Sequence, residues 1–304
     1  DVIMATPPCQ GISTAGQQLD GDERNSLTIP AIRMVEKLHP RYVLIENVPG
    51  YINTYIEYNE GNKLIIDIIK ERLGDDYHIS INVVNTEDYG VPQTRERAIL
   101  LLSRNDQPIW NLPHKCNSKI TMKDAIGNIP IIDPFVRDIP EEVFKSLFPL
   151  YEKRKEKALS ISKWNIPPKH VFRHVVVMQH TPTGKTAFDN TDEFLPRKIN
   201  GEVVKGFHNT YKRQNWDTPA YTIAMDNIEI SSQNNVHPGR LIGKDEKGND
   251  IYSDPRALTL YELMRIMTIP DTWPIPDDVN IHLLRRVIGE GVPSLLIRKI
   301  FQQI

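Results

Sequence analysis

Apolar and polar positions change period several times along the first hundred residues, and the changes predict strand, helix, strand, helix, strand, strand. Val2-Ile3-Met4-Ala5 is an unbroken apolar run, the pattern of a buried strand. Thr6-Pro7-Pro8 stops it, because proline cannot donate to a ladder and disfavours a helical predecessor. After a loop carrying Gly11, Gly16 and Gly21, the span 26–38 places Leu27, Ala31, Met34, Val35 and Leu38 at helical spacing, with Asn25 as cap and Pro30 in the first turn. Tyr42 to Glu46 reads as a second strand closed by Pro49-Gly50, and Asn62 to Leu73 as a second helix ended by Gly74. Ile79, Ile81 and Val83 alternate with polar neighbours, as in a half-buried strand, and Arg97 to Ser103 forms the last strand. The longest purely apolar run, Ala98 to Leu102, is far too short to cross a bilayer.

This order constrains where side chains gather. A right-handed crossover makes the first two strands parallel, so Cys9 and Glu46, each at or just past a strand's carboxyl end, share one edge of the sheet. If the last two strands form an antiparallel hairpin, the approach Gln93-Thr94-Arg95-Glu96-Arg97 starts at that same edge. A lone cysteine more often packs as a small hydrophobe, and a lone glutamate more often caps a helix or pairs on the surface. Convergence with two arginines lowers both readings: the arginines favour a thiolate nucleophile, and the carboxyl can serve as a general acid. No His-Asp pair suggests a cysteine protease, and no metal-ligand spacing is visible.

Composition refines the division of the chain. The 304 residues carry a net charge of −2, with 39% hydrophobic and 25% charged residues, which excludes disorder, collagen and coiled coil. Two cysteines, Cys9 and Cys116, make no disulfide framework or cysteine-rich zinc site and fit a reducing, cytoplasmic setting. The span 1–105 is acidic, with 10 basic and 15 acidic side chains, whereas 106–254 has 21 and 19 and holds twelve of the 23 prolines. The middle region is therefore expected to be irregular. Within it, Tyr151 to Arg173 interleaves seven Lys/Arg with Tyr151, Trp164 and Phe172, either a solvated helix face or a surface that meets a polyanion.

Five motifs in order, Pro7-Pro8-Cys9-Gln10, Glu46-Asn47-Val48, Gln93-x-Arg95-x-Arg97, Arg256-Ala-Leu-Thr-Leu-Tyr-Glu262 with Arg265 and Pro270-Asp271, and Ile288-Gly289-Glu290-Gly291-Val292, resemble the DNA cytosine-5 methyltransferases. The resemblance spans nearly the whole chain. It implies a Rossmann-like α/β sheet for an S-adenosylmethionine-dependent methyltransferase, with a smaller, irregular target-recognition domain. The expected layout is a partial catalytic domain at 1–105, recognition at 106–254, a hinge at 255–283 and a carboxyl-terminal helical return at 284–304.

The implied reaction methylates C5 of a cytosine flipped out of duplex DNA, with Cys9 bonded to C6 of the base, in a restriction-modification system. Glu46 would act at N3, and Arg95 and Arg97 would hold O2 and orient Glu46. Pro8 and Glu290 would border S-adenosylmethionine, although Glu290 stands where the family usually has Asn. Gln10, Ser13, Arg24 and Thr222 would contact DNA, and the basic middle region then reads as a groove-facing surface. Cys116, His237, Arg256 and Arg265 are expected to be structural, and Thr259-x-x-Glu262 to be a capping box. Asp1 opens directly on a strand and the family's glycine-rich cofactor turn does not precede it, so the chain is expected to begin inside a domain, with the missing segment upstream or on a second polypeptide. A non-catalytic recognition subunit and an RNA cytosine methyltransferase are the alternative readings. The expected workplace is the cytoplasm, on the nucleoid.

Overall fold

A computed structural model describes residues 1–8, 27–59 and 61–304, which divide into two compact units. The first comprises residues 1–89, 95–115 and 298–304; the second comprises 90–94 and 116–297. Gly90–Thr94, inside the span 1–105 of the sequence layout, thus groups with the second unit, and 106–115 groups with the first.

The first unit is built on a four-stranded sheet. Its elements begin with β1 (Val2–Ala5), α1 (Thr28–Leu38), β2 (Tyr42–Asn47), the short hairpin strands β3 (Tyr55–Tyr58) and β4 (Gly61–Leu64), and α2 (Ile65–Leu73). Strands β5 (Tyr77–Asn85) and β6 (Glu96–Arg104) complete the order β1-β2-β6-β5. β1 pairs parallel to β2, while β6 runs antiparallel to both β2 and β5. The hairpin direction on which the convergence argument depended is therefore the required one.

Alternation across the pleat assigns the two faces. Val43 and Ile45, with Ala98, Leu100 and Leu102, pack against Ile32 and Val35 of α1 and Ile65, Ile68 and Ile69 of α2. On the other face Trp110 makes edge-on ring contacts with Tyr42 and Phe301, and its indole N–H donates to the Ile300 carbonyl at 2.9 Å. An apolar ring with a satisfied polar tip suits a fully buried position.

Two expectations are corrected here. The predicted helix 62–73 begins only at Ile65, because Gly61–Leu64 pairs antiparallel with Tyr55–Tyr58 and satisfies its backbone there instead. α1 buries Thr28, Ile32 and Val35, one narrow stripe, and leaves Met34 and Leu38 exposed. Its N-cap is Leu27, without a side-chain cap, and Asn25 lies outside the described residues.

The second unit is rich in loops. It contains α3 (Met122–Ile126), the paired short strands β7 (Phe135–Val136) and β8 (Lys169–His170), α4 (Glu141–Leu147), α5 (Tyr151–Leu159) and α6 (Phe172–Gln179). A two-stranded ribbon follows, β9 (Leu241–Lys244) and β10 (Asp250–Tyr252), then α7 (Leu260–Ile266) and α8 (Ile281–Glu290). The last helix, α9 (Ser294–Phe301), begins in this unit and ends in the first.

With so little regular structure, the second unit relies on side chains to satisfy buried backbone. Arg213, fully buried, donates to the carbonyls of His237, Asp254, Met178 and Ser253. Arg256 lies buried between Asp254 at 2.8 Å and Glu262 at 2.8 Å, the structural tie expected of it. Glu262 also closes the expected capping box with Thr259 at the start of α7. His237 is buried and accepts the Gly239 N–H at 3.0 Å. Arg265 lies nearer the surface, 3.7 Å from Asp271.

Candidate active site

β2 and β6 set the geometry. Their antiparallel register pairs Glu46 with Ile99, so Arg97, two residues earlier on β6, lies on the same sheet face as Glu46. The guanidinium Nε of Arg97 meets Glu46 Oε1 at 2.9 Å, with side chains only 11% and 10% exposed. A second nitrogen of Arg97 donates to the Glu96 carbonyl at 2.7 Å, which fixes the plane of the fork. Arg95 is also buried; its N–H donates to Asn85 Oδ1 at 3.0 Å and its carbonyl accepts from Thr86 N–H at 2.9 Å.

Burial raises the Glu46 carboxyl above the ordinary carboxylate range, and the charges of Arg97 and then Arg95 pull against it. Desolvation wins, so this carboxyl takes up a proton more readily than an exposed glutamate while an arginine still orients it. Such a group can present a proton to a ring nitrogen in its plane.

One residue of the site had no role assigned from the sequence. Asn47 points to the face opposite Glu46 and donates from Nδ2 to the Pro7 carbonyl at 2.9 Å, while its Oδ1 accepts the Val48 N–H at 2.9 Å. It therefore ties the exit of β1 to the exit of β2, two residues before Cys9. The signal was present in the parallel pairing, which ends at Ala5 and Ile45 and leaves the next side chain on β2 beside the turn. Cys9, Gln10, Ser13 and Arg24 lie outside the described residues. Cys116 is exposed, and among the described residues no cluster of His, Cys, Asp or Glu is placed to hold a metal. No helix among them is long and apolar enough to cross a membrane.

In the second unit, the Thr222 hydroxyl donates to the Thr94 carbonyl at 2.7 Å. Glu290, the last residue of α8, is ion-paired with Arg286 at 3.3 Å, its side chain 41% exposed.

Comparison with known proteins gives the family. The model of C-5 cytosine-specific DNA methylases matches residues 1–304. The Type II methyltransferase M1.HgaI of Avibacterium volantium is 42% identical over 311 residues, covering all of this chain and 78% of that protein. M.XorII of Xanthomonas oryzae pv. oryzae is 29% identical over 317 residues, covering all of this chain and 68% of that one. Among solved structures, the Entamoeba histolytica methyltransferase EhMeth superposes with TM-score 0.54 at 14% identity, over 99% of this chain and 76% of that one. A substituted Spodoptera frugiperda DNMT2 gives 0.52 at 16% identity, over 99% and 79%. The sheet with α1 and α2 packed on it is consistent with the α/β methyltransferase fold of these neighbours. The chain belongs to the C-5 cytosine-specific DNA methylases.

Proposed function

We propose that the chain methylates C5 of a cytosine flipped out of a specific duplex DNA site, and that the buried Arg97–Glu46 pair beside the strand exits is the centre of that reaction. That pair is the observation on which the reading rests, and its chemistry matches what the base requires. Cytosine C5 becomes nucleophilic only when a nucleophile adds at C6. The thiolate of Cys9 forms that bond, and N3 receives the proton of Glu46 so that negative charge does not build on the ring. Arg97 holds Glu46 in the ring plane, and Arg95 and Arg97 together meet the exocyclic O2. Loss of the C5 proton, expulsion of the Cys9 thiolate and return of the N3 proton to Glu46 then restore aromaticity in the methylated base.

S-Adenosylmethionine, the donor used by the family in general, supplies an electrophilic methyl group at C5. The residues assigned to it fit part of that molecule: Pro8 is an exposed ring just beyond β1, and the Glu290 carboxylate suits a cationic or hydroxyl-bearing end. Among the described residues these two are the ones assigned to the donor site.

In this reading, residues 106–254 carry target recognition, 255–283 the hinge and 284–304 the return. The helix α5 presents the exposed Lys153 and Lys157, one turn apart, as part of a polyanion-facing surface. Gln10, Ser13 and Arg24 contact the DNA. Thr222, the fourth candidate, keeps its hydroxyl proton on the Thr94 carbonyl, so donation to a phosphate requires that bond to open. The Type II names of the relatives support a restriction-modification setting, and in this reading the substrate is cytoplasmic DNA.

The test is covalent trapping on duplex DNA carrying 5-fluorocytosine at the target, where fluorine replaces the C5 proton and cannot leave. The intact enzyme is expected to form an adduct stable to denaturation, and Cys9→Ser to form none. An undiminished adduct with Cys9→Ser overturns the mechanism.

A further inference from the structure

The five residues Gly90–Thr94 run directly into Arg95 and yet belong to the second unit. A compact set of hydrogen bonds explains that grouping. Thr94 N–H donates to the Ala220 carbonyl at 2.8 Å, and Ala220 N–H donates back to the Pro92 carbonyl at 2.9 Å. Ile223 N–H donates to Gln93 Oε1 at 3.1 Å, and the Thr222 hydroxyl donates to the Thr94 carbonyl at 2.7 Å. Gln93 is fully buried and also directs its amide nitrogen to Met267 Sδ at 3.0 Å.

One peptide plane links this clasp to the chemistry. The Thr94 carbonyl and the Arg95 N–H belong to the same peptide bond, which is planar and resists twisting. Its oxygen is held by Thr222, and its N–H by Asn85 Oδ1 at 3.0 Å. The orientation of that plane sets the direction in which the chain leaves for Arg95 and, two residues on, for Arg97 against Glu46. A misplacement of about 1 Å in a catalytic group can cost on the order of a hundredfold in rate, so a held plane has catalytic leverage.

We propose that Thr222 and Gln93 are positioning residues. They hold Gly90–Thr94 on the segment 220–223 and so fix the oxygen side of the Thr94–Arg95 peptide, from which the chain runs into the strand that carries Arg97. A threonine hydroxyl has a single proton, and here it is given to a backbone oxygen rather than offered to solvent. The inference rests on the reading of Glu46 and Arg97 as reaction residues.

Thr222→Val, Thr222→Ser and Gln93→Met, made in the intact enzyme, separate a positioning role from a phosphate contact. Single-turnover methylation and DNA affinity are measured at several salt concentrations, with thermal unfolding to confirm the fold. Thr222→Val is expected to slow the single turnover about tenfold with KM for DNA within about twofold, and Thr222→Ser to restore the rate. Gln93→Met, which keeps the side-chain volume but removes the acceptor for Ile223 N–H, is expected to slow the same step. If Thr222→Val instead weakens DNA binding, leaves the rate unchanged and lowers the salt slope by about one, Thr222 is a phosphate contact and the proposal fails. Full rate and affinity in both Thr222→Val and Gln93→Met overturn it as well. Glu46→Gln serves as the separate control: full activity in that variant would discredit the underlying reading, whatever the clasp variants do.

Discussion

Asn47 shows how much of an active site one amide can organise. Its two hydrogen bonds, to the Pro7 carbonyl and from the Val48 N–H, hold two strand exits at a fixed separation. Replacing it with alanine leaves buried partners unmatched, so Asn47→Ala is expected to lower stability by about 1–2 kcal/mol. The methyl-transfer rate should drop about tenfold or more, because Pro7 precedes Cys9 by only two residues. Thermal unfolding and single-turnover methylation check the two effects, and an unchanged rate would show that the Pro7 carbonyl does not govern the proposed reaction. At this scale the sequence was legible where chemistry depends on residue type. Glu46 and Arg97 could be brought together from strand order alone, and they meet at 2.9 Å. It was not legible where a side chain serves the backbone, as with Asn47 or Gln93, because such roles depend on which carbonyl or N–H another segment leaves nearby.

Among the elements, the strands of the main sheet were readable from short apolar runs or, for β5, from alternation of apolar and polar residues. β3 and β4 were not. Gly61-Asn62-Lys63-Leu64 carries no strand signal of its own and becomes a strand by pairing with Tyr55–Tyr58. α8 depends equally on its surroundings. Its Arg285 is buried and donates to Asn227 Oδ1 at 3.0 Å and to the Leu258 carbonyl at 2.8 Å. Four residues later, Gly289 allows the helix to approach the chain at Ala224. A Cβ added to Gly289 would stand 2.2 Å from the Ala224 carbonyl oxygen, a backbone atom that cannot swing aside. Gly289→Ala is therefore expected to destabilise the protein by about 1–3 kcal/mol, the range for overpacking, despite alanine's better helix propensity. Urea unfolding tests this, and a gain in stability would mean that the approach is loose.

For the whole molecule, acid response follows from where the histidines lie. Burial pushes His170 down to about 3 and His174 and His237 to about 4, all within the second unit. The unfolded chain binds protons at these rings near the ordinary value of about 6.5, whereas the folded chain does not. Their contribution is therefore fully present above pH ~6.5 and is lost as pH falls toward ~4, at up to about 1.4 kcal/mol per pH unit for each ring. Glu46 and Asp133, both raised by burial, work in the opposite direction but are two groups against three. Urea midpoints are expected to fall steadily from pH 7 to pH 5, and a midpoint that rises on acidification contradicts the assignment. None of these burials was visible in composition, which records nine histidines without saying which are enclosed.

The segment Gly90–Thr94 has a further consequence, for how such a chain can be recombined. Read along the sequence, the variable middle region looks like a cassette that can be exchanged at positions 106 and 254. The pairing of Pro92 and Thr94 with Ala220 and of Gln93 with Ile223 shows that the middle region has a detached piece, in the stretch of sequence that joins β5 to β6. A hybrid that imports a foreign middle region must bring matching residues at 90–94 or retain Ala220–Ile223. Otherwise the transplanted part meets the wrong partner at 90–94.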